Sequence, residues 1–219
     1  MLFPNNDIIL MNIIFLLTLA YLLGSIPTAV WVSKKVYGLD IRDHGSGNAG
    51  ATNTFRVLGK KAGIWVMIVD MLKGFVAVKL CYLSAHASHS EAMTNLQVGL
   101  GLAAVVGHIF PIWAGFRGGK GIATLFGMIL AIQYYVAFSL VGVFLAMLFL
   151  TNYVSLSSIA ASVAFPVLIL FIFKDHAPET SYKIFAIATA CMVVLTHHKN
   201  ISRLLAGNES KVKLIKRNR

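Results

Sequence analysis

GIATLFGMILAIQYYVAFSLVGVFLAMLFL, residues 121–150, is the stretch on which the topology turns. A membrane-spanning helix needs about 20 apolar residues, so this run is too long for one straight crossing and short for two. Beyond it lie two clear apolar segments, at about 153–173 and 181–196, and then a basic tail with Lys211, Lys213, Lys216, Arg217 and Arg219. Positive charge accumulates on the cytoplasmic side, so the tail belongs inside. A single crossing by residues 121–150 would leave it outside. Two crossings return it inside, although each has only about 14 residues and reaches about 21 Å at 1.5 Å per residue, against a hydrocarbon core of about 30 Å. The sequence therefore predicts two short or tilted helices, turning near Gln133 to Tyr135 beside a thinned bilayer.

Working back toward the start, apolar runs at about 8–32, 62–83 and 96–113 predict three further crossings. The initial MLFPNNDIILMN has no Lys or Arg, so the first run reads as a retained helix and not as a cleaved signal peptide. Lys34 and Lys35 follow that run, while residues 84–95 contain neither Lys nor Arg and read as an external loop. The expectation is an all-α polytopic membrane protein with about seven transmembrane helices. Its N-terminus lies outside and its C-terminus in the cytoplasm, and residues 1–219 form a single domain ending in a basic tail, 207–219.

Composition agrees: 58% of the 219 residues are hydrophobic and 12% charged, with a mean hydropathy of +0.77, where a soluble domain has about a quarter of its residues charged. The net charge of +11, from 19 Lys plus Arg against 8 Asp plus Glu, suits topology and anionic lipid better than nucleic acid, because the cations sit in loops and tail. Cys81 and Cys191 fall in apolar segments and read as small packing groups. No Cys/His cluster and no carboxylate pair for Mg²⁺ is visible, so no metal and no cofactor is expected.

Three glycine-rich, cation-bearing stretches interrupt the apolar chain: GSGNAGATNTFR at 45–56, GFRGGKG at 115–121 and HHKNISRLLAGNE at 197–209. Glycine loops supply backbone N–H donors and close approach, and Arg or Lys supplies fixed charge, which together suit phosphate. In the first, Ser46, Asn48, Thr52, Asn53 and Arg56 read equally as an oxyanion cradle or as a polar loop capping a helix. In the second, Gly118, Gly119, Lys120 and Gly121 precede an apolar helix starting near Ile122, and a helix N-terminus attracts anions. The spacing departs from a nucleotide-binding P-loop, since Ala114 stands where its first Gly would be and Ile122 follows Gly121. In the third, His197 or His198 is a candidate general base, and 197, 200 and 204 share a face if the helix continues. Asp70 and Lys73, at i,i+3 inside an apolar run, are functional candidates or a structural ion pair. His108 and Pro111 shape the entry to the second stretch.

The motifs SGNAGATNTFR at 46–56, GHIFPIWAGFRGGKG at 107–121 and HHKNISRLLAGNE at 197–209, together with GSIPTA at 24–29, resemble those of the bacterial acyl-phosphate:glycerol-3-phosphate acyltransferase family, in the same order. The resemblance implies a seven-helix enzyme in the bacterial cytoplasmic membrane with its motifs on the cytoplasmic face. It implies transfer of a long-chain acyl group from acyl phosphate to the 1-hydroxyl of glycerol 3-phosphate, giving lysophosphatidic acid and phosphate. By the same resemblance, Ser46 and Arg56 act in catalysis or on the donor phosphate, and the Lys120 motif holds phosphate and glycerol 3-phosphate. His197 is the functional histidine with Asn200 as its polar partner, Glu209 is structural, and Ser155 or Ser158 of the loop YVSLSSI contributes to the phosphate site. The proton acceptor is His197 or a substrate phosphate oxygen. No nucleic acid and no obligate protein partner is implied.

A transporter of phosphate or an organic phosphate is the alternative, but it wants polar groups at mid-membrane, which are few, and no internal repeat is visible. A scaffold held by its tail leaves the three stretches unexplained. The soluble acyltransferase signature, His-x4-Asp, is absent; its nearest approach is His86 followed by Glu91.

Overall fold

The computed structural model describes residues 6–84, 90–176 and 179–212; His86 and tail residues 213–219 lie outside these. The described chain is helical and divides into two compact units, 1–133 and 134–219.

The first unit contains α1 (Asn6–Gly24), α2 (Thr28–Tyr37), α3 (Ala51–Leu58), α4 (Lys60–Lys79), α5 (Ser90–Ile109) and α6 (Ile122–Ile132). The apolar run 8–32, expected as one helix, is broken. Pro27 has no N–H to continue the ladder, and the helix restarts at Thr28. The break leaves the Ile26 carbonyl inside the protein, where it accepts a hydrogen bond from the Lys73 ammonium of α4. The expected glycine-rich loop 45–56 is corrected as well: from Ala51 onward it is helix α3, which packs on α4. Helix α5 begins within the expected external loop, six residues before Leu96.

Two reciprocal glycine pairs set the packing. A Cβ on Gly24 of α1 would lie 2.0 Å from the Ala104 carbonyl oxygen of α5, and one on Gly107 of α5 would lie 2.2 Å from the Tyr21 carbonyl oxygen of α1. Between α4 and α6, Gly74 stands against Thr124 O at 2.0 Å and Gly127 against Met71 O at 1.9 Å by the same measure. Small residues let helix backbones meet where lipid supplies no hydrophobic drive between helices. Leu16, Ala20, Ala77, Cys81, Leu100 and Ala104 fill the core between them. Cys81 packs there as a small apolar group, whereas Cys191 is exposed. Outward, Met11, Phe15, Trp65 and Leu72 are more than half exposed; such a surface is at home in hydrocarbon.

Helix α6 has 11 residues, about 16 Å of rise, and its C-terminal carbonyls have no further helical turn to accept from. Lys79 answers this: its ammonium donates to Ala131 O at 3.1 Å and stands over the Phe75 and Tyr82 rings.

The second unit contains α7 (Tyr134–Thr151), α8 (Val154–Val167), α9 (Thr180–Thr196) and α10 (His198–Leu205). The chain is interrupted at Gln133, within the turn expected from sequence. Residues 153–159 are not a loop: Tyr153 caps α8, and Ser155 and Ser158 lie on that helix. Pro166 precedes a π-helical turn, Leu168–Ile172. Phe165, Tyr182 and Phe185 pack ring to ring at 5.6–5.9 Å across α8 and α9. Helices α9 and α10 meet at a 60° bend at His197, so the helix does not run straight past the membrane.

Among the described residues, four helical segments, or five when the bent α9–α10 pair counts as one, suit a membrane crossing by length and apolarity. Helix α4 falls outside that set by charge and α6 by length.

The glycine pairing makes a testable claim. Gly127→Val must push α4 and α6 apart and should cost about 1–3 kcal/mol, read as a lower unfolding midpoint in detergent. Gly142→Val on α7, where an added Cβ meets nothing within 4 Å, should change stability by less than about 0.5 kcal/mol. Equal effects from both would remove close packing as the cause.

Candidate functional site

The first glycine-rich stretch is built around one buried amide. Asn53, 1% exposed, donates to Ile41 O at 3.1 Å and His44 O at 2.9 Å, while its Oδ1 accepts the Ser46 N–H at 2.9 Å. Gly45 takes φ +63°, and its absent Cβ would fall 2.3 Å from Asn53 Oδ1. Asn53, expected as a phosphate ligand, thus spends its polar atoms on folding the loop. The side chains of Ser46, Thr52 and Arg56 are exposed and that of Asn48 is half-buried. Thr52 and Arg56, at i,i+4, share the outer face of α3.

A brace precedes this loop. Arg42 grips Asp40 with Nε to Oδ1 at 2.9 Å and a terminal nitrogen to Oδ2 at 2.7 Å, and its other terminal nitrogen donates to Ala114 O at 2.8 Å. Lys34 adds a contact to Asp40 at 3.1 Å. The Arg42 guanidinium holds the Asp40 carboxyl far below the usual carboxylate range, despite partial burial. One planar fork therefore ties the first stretch to the residue that precedes GFRGGKG. In the sequence Arg42 is one loop cation among several, and an Asp-x-Arg pair is too common to stand out.

The second stretch folds back on the end of α5. Gly118 N–H donates to Ile109 O at 3.1 Å and Gly119 N–H to His108 O at 3.2 Å. A Cβ on Gly119 would lie 2.2 Å from His108 Nε2. Gly121, at φ +80°, is the N-cap of α6 and offers no side-chain cap. The first-turn N–H groups of α6 thus stand beside a half-buried Lys120, a combination suited to a phosphate oxygen.

In the second unit Glu209 is the hub. Its Oε1 accepts Ser155 Oγ at 2.8 Å and Asn200 Nδ2 at 2.6 Å, and its Oε2 accepts Arg203 Nε at 2.7 Å. The Asn200 amide, expected to partner His197, donates to Glu209. Of the two serine candidates, Ser155 joins this cluster, while Ser158 donates back to Val154 O in its own helix at 3.0 Å. The chain beyond Glu209 crosses the start of α8, with Val212 N–H on Asn152 O at 2.9 Å and Lys211 over the Tyr153 ring at 5.2 Å. His197 is buried at the bend, with Nδ1 2.8 Å from Val193 O. A carbonyl only accepts, so Nδ1 carries a proton and Nε2 bears the lone pair of the neutral ring. His198 is exposed, its Nδ1 on Leu195 O at 2.9 Å.

All-helical units with apolar outer faces and loops rich in glycine and cations define an integral membrane protein. A family model described as glycerol-3-phosphate acyltransferase matches residues 14–207. A glycerol-3-phosphate acyltransferase of Chlorobium phaeobacteroides (strain BS1) is 40% identical, over 92% of this chain and 97% of its own. One of Trichlorobacter lovleyi is 42% identical over 89% and 94%. Among solved structures, PlsY (YgiH), an integral membrane glycerol 3-phosphate acyltransferase, in its glycerol 3-phosphate form is 37% identical, with a TM-score of 0.81 over 92% of this chain and 96% of that one. Its lysophosphatidic acid form gives 38% and 0.77 over 92% and 95%. The chain belongs to the glycerol-3-phosphate acyltransferase family.

The Glu209 cluster has a pH signature. Burial pushes the carboxyl up, but hydrogen bonds from Arg203, Asn200 and Ser155 outweigh it and hold Glu209 below its ordinary value of 4.5. A depressed folded value means that the contribution is complete above about pH 4.5 and is lost as pH falls through the folded value. Glu209→Gln should lower stability at pH 7 by about 1.5–3 kcal/mol, and the gap to wild type should narrow as the pH falls below the ordinary value of 4.5. A gap that persists unchanged in acid would exonerate the carboxylate charge.

Proposed function

We propose that this chain transfers a long-chain acyl group from acyl phosphate to the 1-hydroxyl of glycerol 3-phosphate, releasing lysophosphatidic acid and phosphate. The observation that carries the reading is the second stretch: a GGKG loop pinned to α5, with Lys120 and the uncapped N-terminus of α6 side by side. That is an anion seat made of fixed dipoles, suited to the glycerol 3-phosphate phosphate. Exposed Ser46, Thr52 and Arg56, on a loop braced by Asn53 and Arg42, suit the phosphate of the donor.

In the reaction the 1-hydroxyl oxygen attacks the acyl carbonyl carbon. The carbon–oxygen bond to phosphate breaks, and phosphate leaves with the bonding pair. An acyl phosphate is a mixed anhydride with a good leaving group, so no covalent acyl-enzyme is required. Positioning and charge stabilisation supply most of the acceleration. His197 takes the hydroxyl proton on Nε2, a role its tautomer supports. Glu209 sets Asn200, Arg203 and Ser155. Asn53 and Ser158 move from ligand to framework in this reading.

One acyltransferase domain is proposed for the whole chain, since the family match runs through both units. Seven crossings are proposed: the five apolar segments, α4, whose Asp70 and Lys73 are hidden from lipid, and the short α6. An odd number puts the termini on opposite faces, and the orientation proposed has the N-terminus outside and the C-terminus, with the glycine-rich stretches, in the cytoplasm. The cations around residues 34–61 and 117–120 support that orientation. The membrane is the bacterial cytoplasmic membrane.

The test is phosphate release by purified protein in mild detergent or lipid, given palmitoyl phosphate and glycerol 3-phosphate. Release should require both substrates and fall about 10²–10³-fold in Ser46→Ala and Lys120→Ala and about 10²–10⁴-fold in His197→Ala. Retained turnover in His197→Ala would move proton transfer to a substrate phosphate oxygen. Equal activity with acyl-CoA would overturn the donor. Folded protein that is inert here but imports phosphate into proteoliposomes would be a transporter.

A further inference from the structure

Three ionisable groups of the first unit are buried together and take no part in the chemistry above. Asp70 is 1% exposed, Lys73 5% and His108 7%. Lys73 Nζ lies 2.5 Å from Asp70 Oδ1 and also donates to the Ile26 carbonyl at the α1–α2 break. His108 Nδ1 lies 3.8 Å from the same Asp70 oxygen. The other end of that imidazole abuts the second glycine-rich stretch, since the absent Cβ of Gly119 would fall 2.2 Å from His108 Nε2. The His108 carbonyl meanwhile accepts the Gly119 N–H at 3.2 Å.

Stability alone is a poor reason for such a cluster, because well-packed apolar residues serve a buried site as well as an ion pair does. What an ion pair supplies that apolar packing does not is direction. Asp70 and Lys73 sit one turn apart on α4, and Lys73 is anchored at its far end by a main-chain carbonyl. The carboxylate oxygen is thereby fixed, and it faces one nitrogen of His108. With that edge of the ring on Asp70 and the opposite edge on Gly119, the imidazole is a spacer between α4 and the loop. Nothing larger than glycine fits at 119 while the ring holds that place.

We infer that the buried Asp70–Lys73–His108 cluster is a positioning device that sets the geometry of the Gly118–Gly121 loop for the phosphate of the acceptor. It rests on the reading of that loop as the glycerol 3-phosphate seat. Its members touch no substrate; they act through the loop backbone.

The experiment compares wild type with Asp70→Asn, His108→Ala, His108→Gln and Gly119→Ala, all purified in detergent. KM for each substrate, kcat, the unfolding midpoint and amide hydrogen exchange are measured. The expected result is a KM for glycerol 3-phosphate raised about tenfold or more in Asp70→Asn, His108→Ala and Gly119→Ala, with KM for acyl phosphate within about twofold of wild type. His108→Gln should recover part of the loss. Exchange should speed up at amides 118–121 and stay as in wild type at 45–50. Unchanged KM for glycerol 3-phosphate with unchanged exchange at 118–121 overturns the proposal. So does a loss in both KM values and the unfolding midpoint together, with exchange rising along α4 and α5, which marks a general structural role. Should Asp70→Asn not fold, His108→Ala against His108→Gln decides the matter outside the loop itself. Lys120→Ala separates the two readings: if it leaves KM for glycerol 3-phosphate unchanged, the seat itself is misassigned, while the exchange data still judge the grip of the cluster on the loop.

Discussion

A backbone carbonyl left without a donor in hydrocarbon costs several kcal/mol, and this constraint governs where the helices of this chain stop and break. Helix α1 breaks ahead of Pro27, and the Ile26 carbonyl freed from the helix ladder is met by Lys73. Helix α6 stops after 11 residues, and Ala131 O is met by Lys79. Both donors come from α4, six residues apart on a helix that carries more charge than its apolar neighbours. The charges that spoil α4 as an ordinary span are the ones that let its neighbours be irregular. Irregularity in turn is what creates the loops and helix ends that carry the candidate chemistry.

The same economy recurs in the loops. One guanidinium, Arg42, joins the start of the first glycine-rich stretch to the start of the second. One amide, Asn53, folds the turn that presents Ser46. One carboxylate, Glu209, gathers Ser155, Asn200 and Arg203. In each case one buried or half-buried side chain, through several hydrogen bonds, fixes the stretch around it. Within the motifs, sequence does not distinguish Asn53 or Glu209 from the residues they hold, because all are polar.

That explains which parts of the site were legible in the sequence. The interruption at Gln133, the helix starting at Ile122 behind Lys120, and the membrane character all follow from local apolar pattern and glycine chemistry. The break at Ser25 to Pro27 was written in Pro27 but masked by the apolar run around it. The stretch 45–56 reads as a glycine-rich loop, cradle or cap, yet from Ala51 an amphipathic helix gains by packing on α4, and tertiary contact overrides the glycine signal. The partnership of Ser155 with Glu209 spans 54 residues, and no local spacing encodes it. The separation of Ser155 from Ser158 likewise needed the fold, since one points at Glu209 and the other at its own helix.

The glycine contacts between α4 and α6 carry a thermal consequence. Soluble domains owe the curvature of their stability with temperature to the hydration of apolar surface, which sets a large heat-capacity change on unfolding. Where Gly74 meets Thr124 and Gly127 meets Met71, separation in a bilayer exposes backbone to lipid chains rather than to water. The strength of that seam rests on dispersion and shape, so it contributes little heat capacity. The α4–α6 pair therefore keeps its hold on cooling, and the proposed anion seat at the head of α6 stays assembled with it at temperatures where water-driven packing weakens.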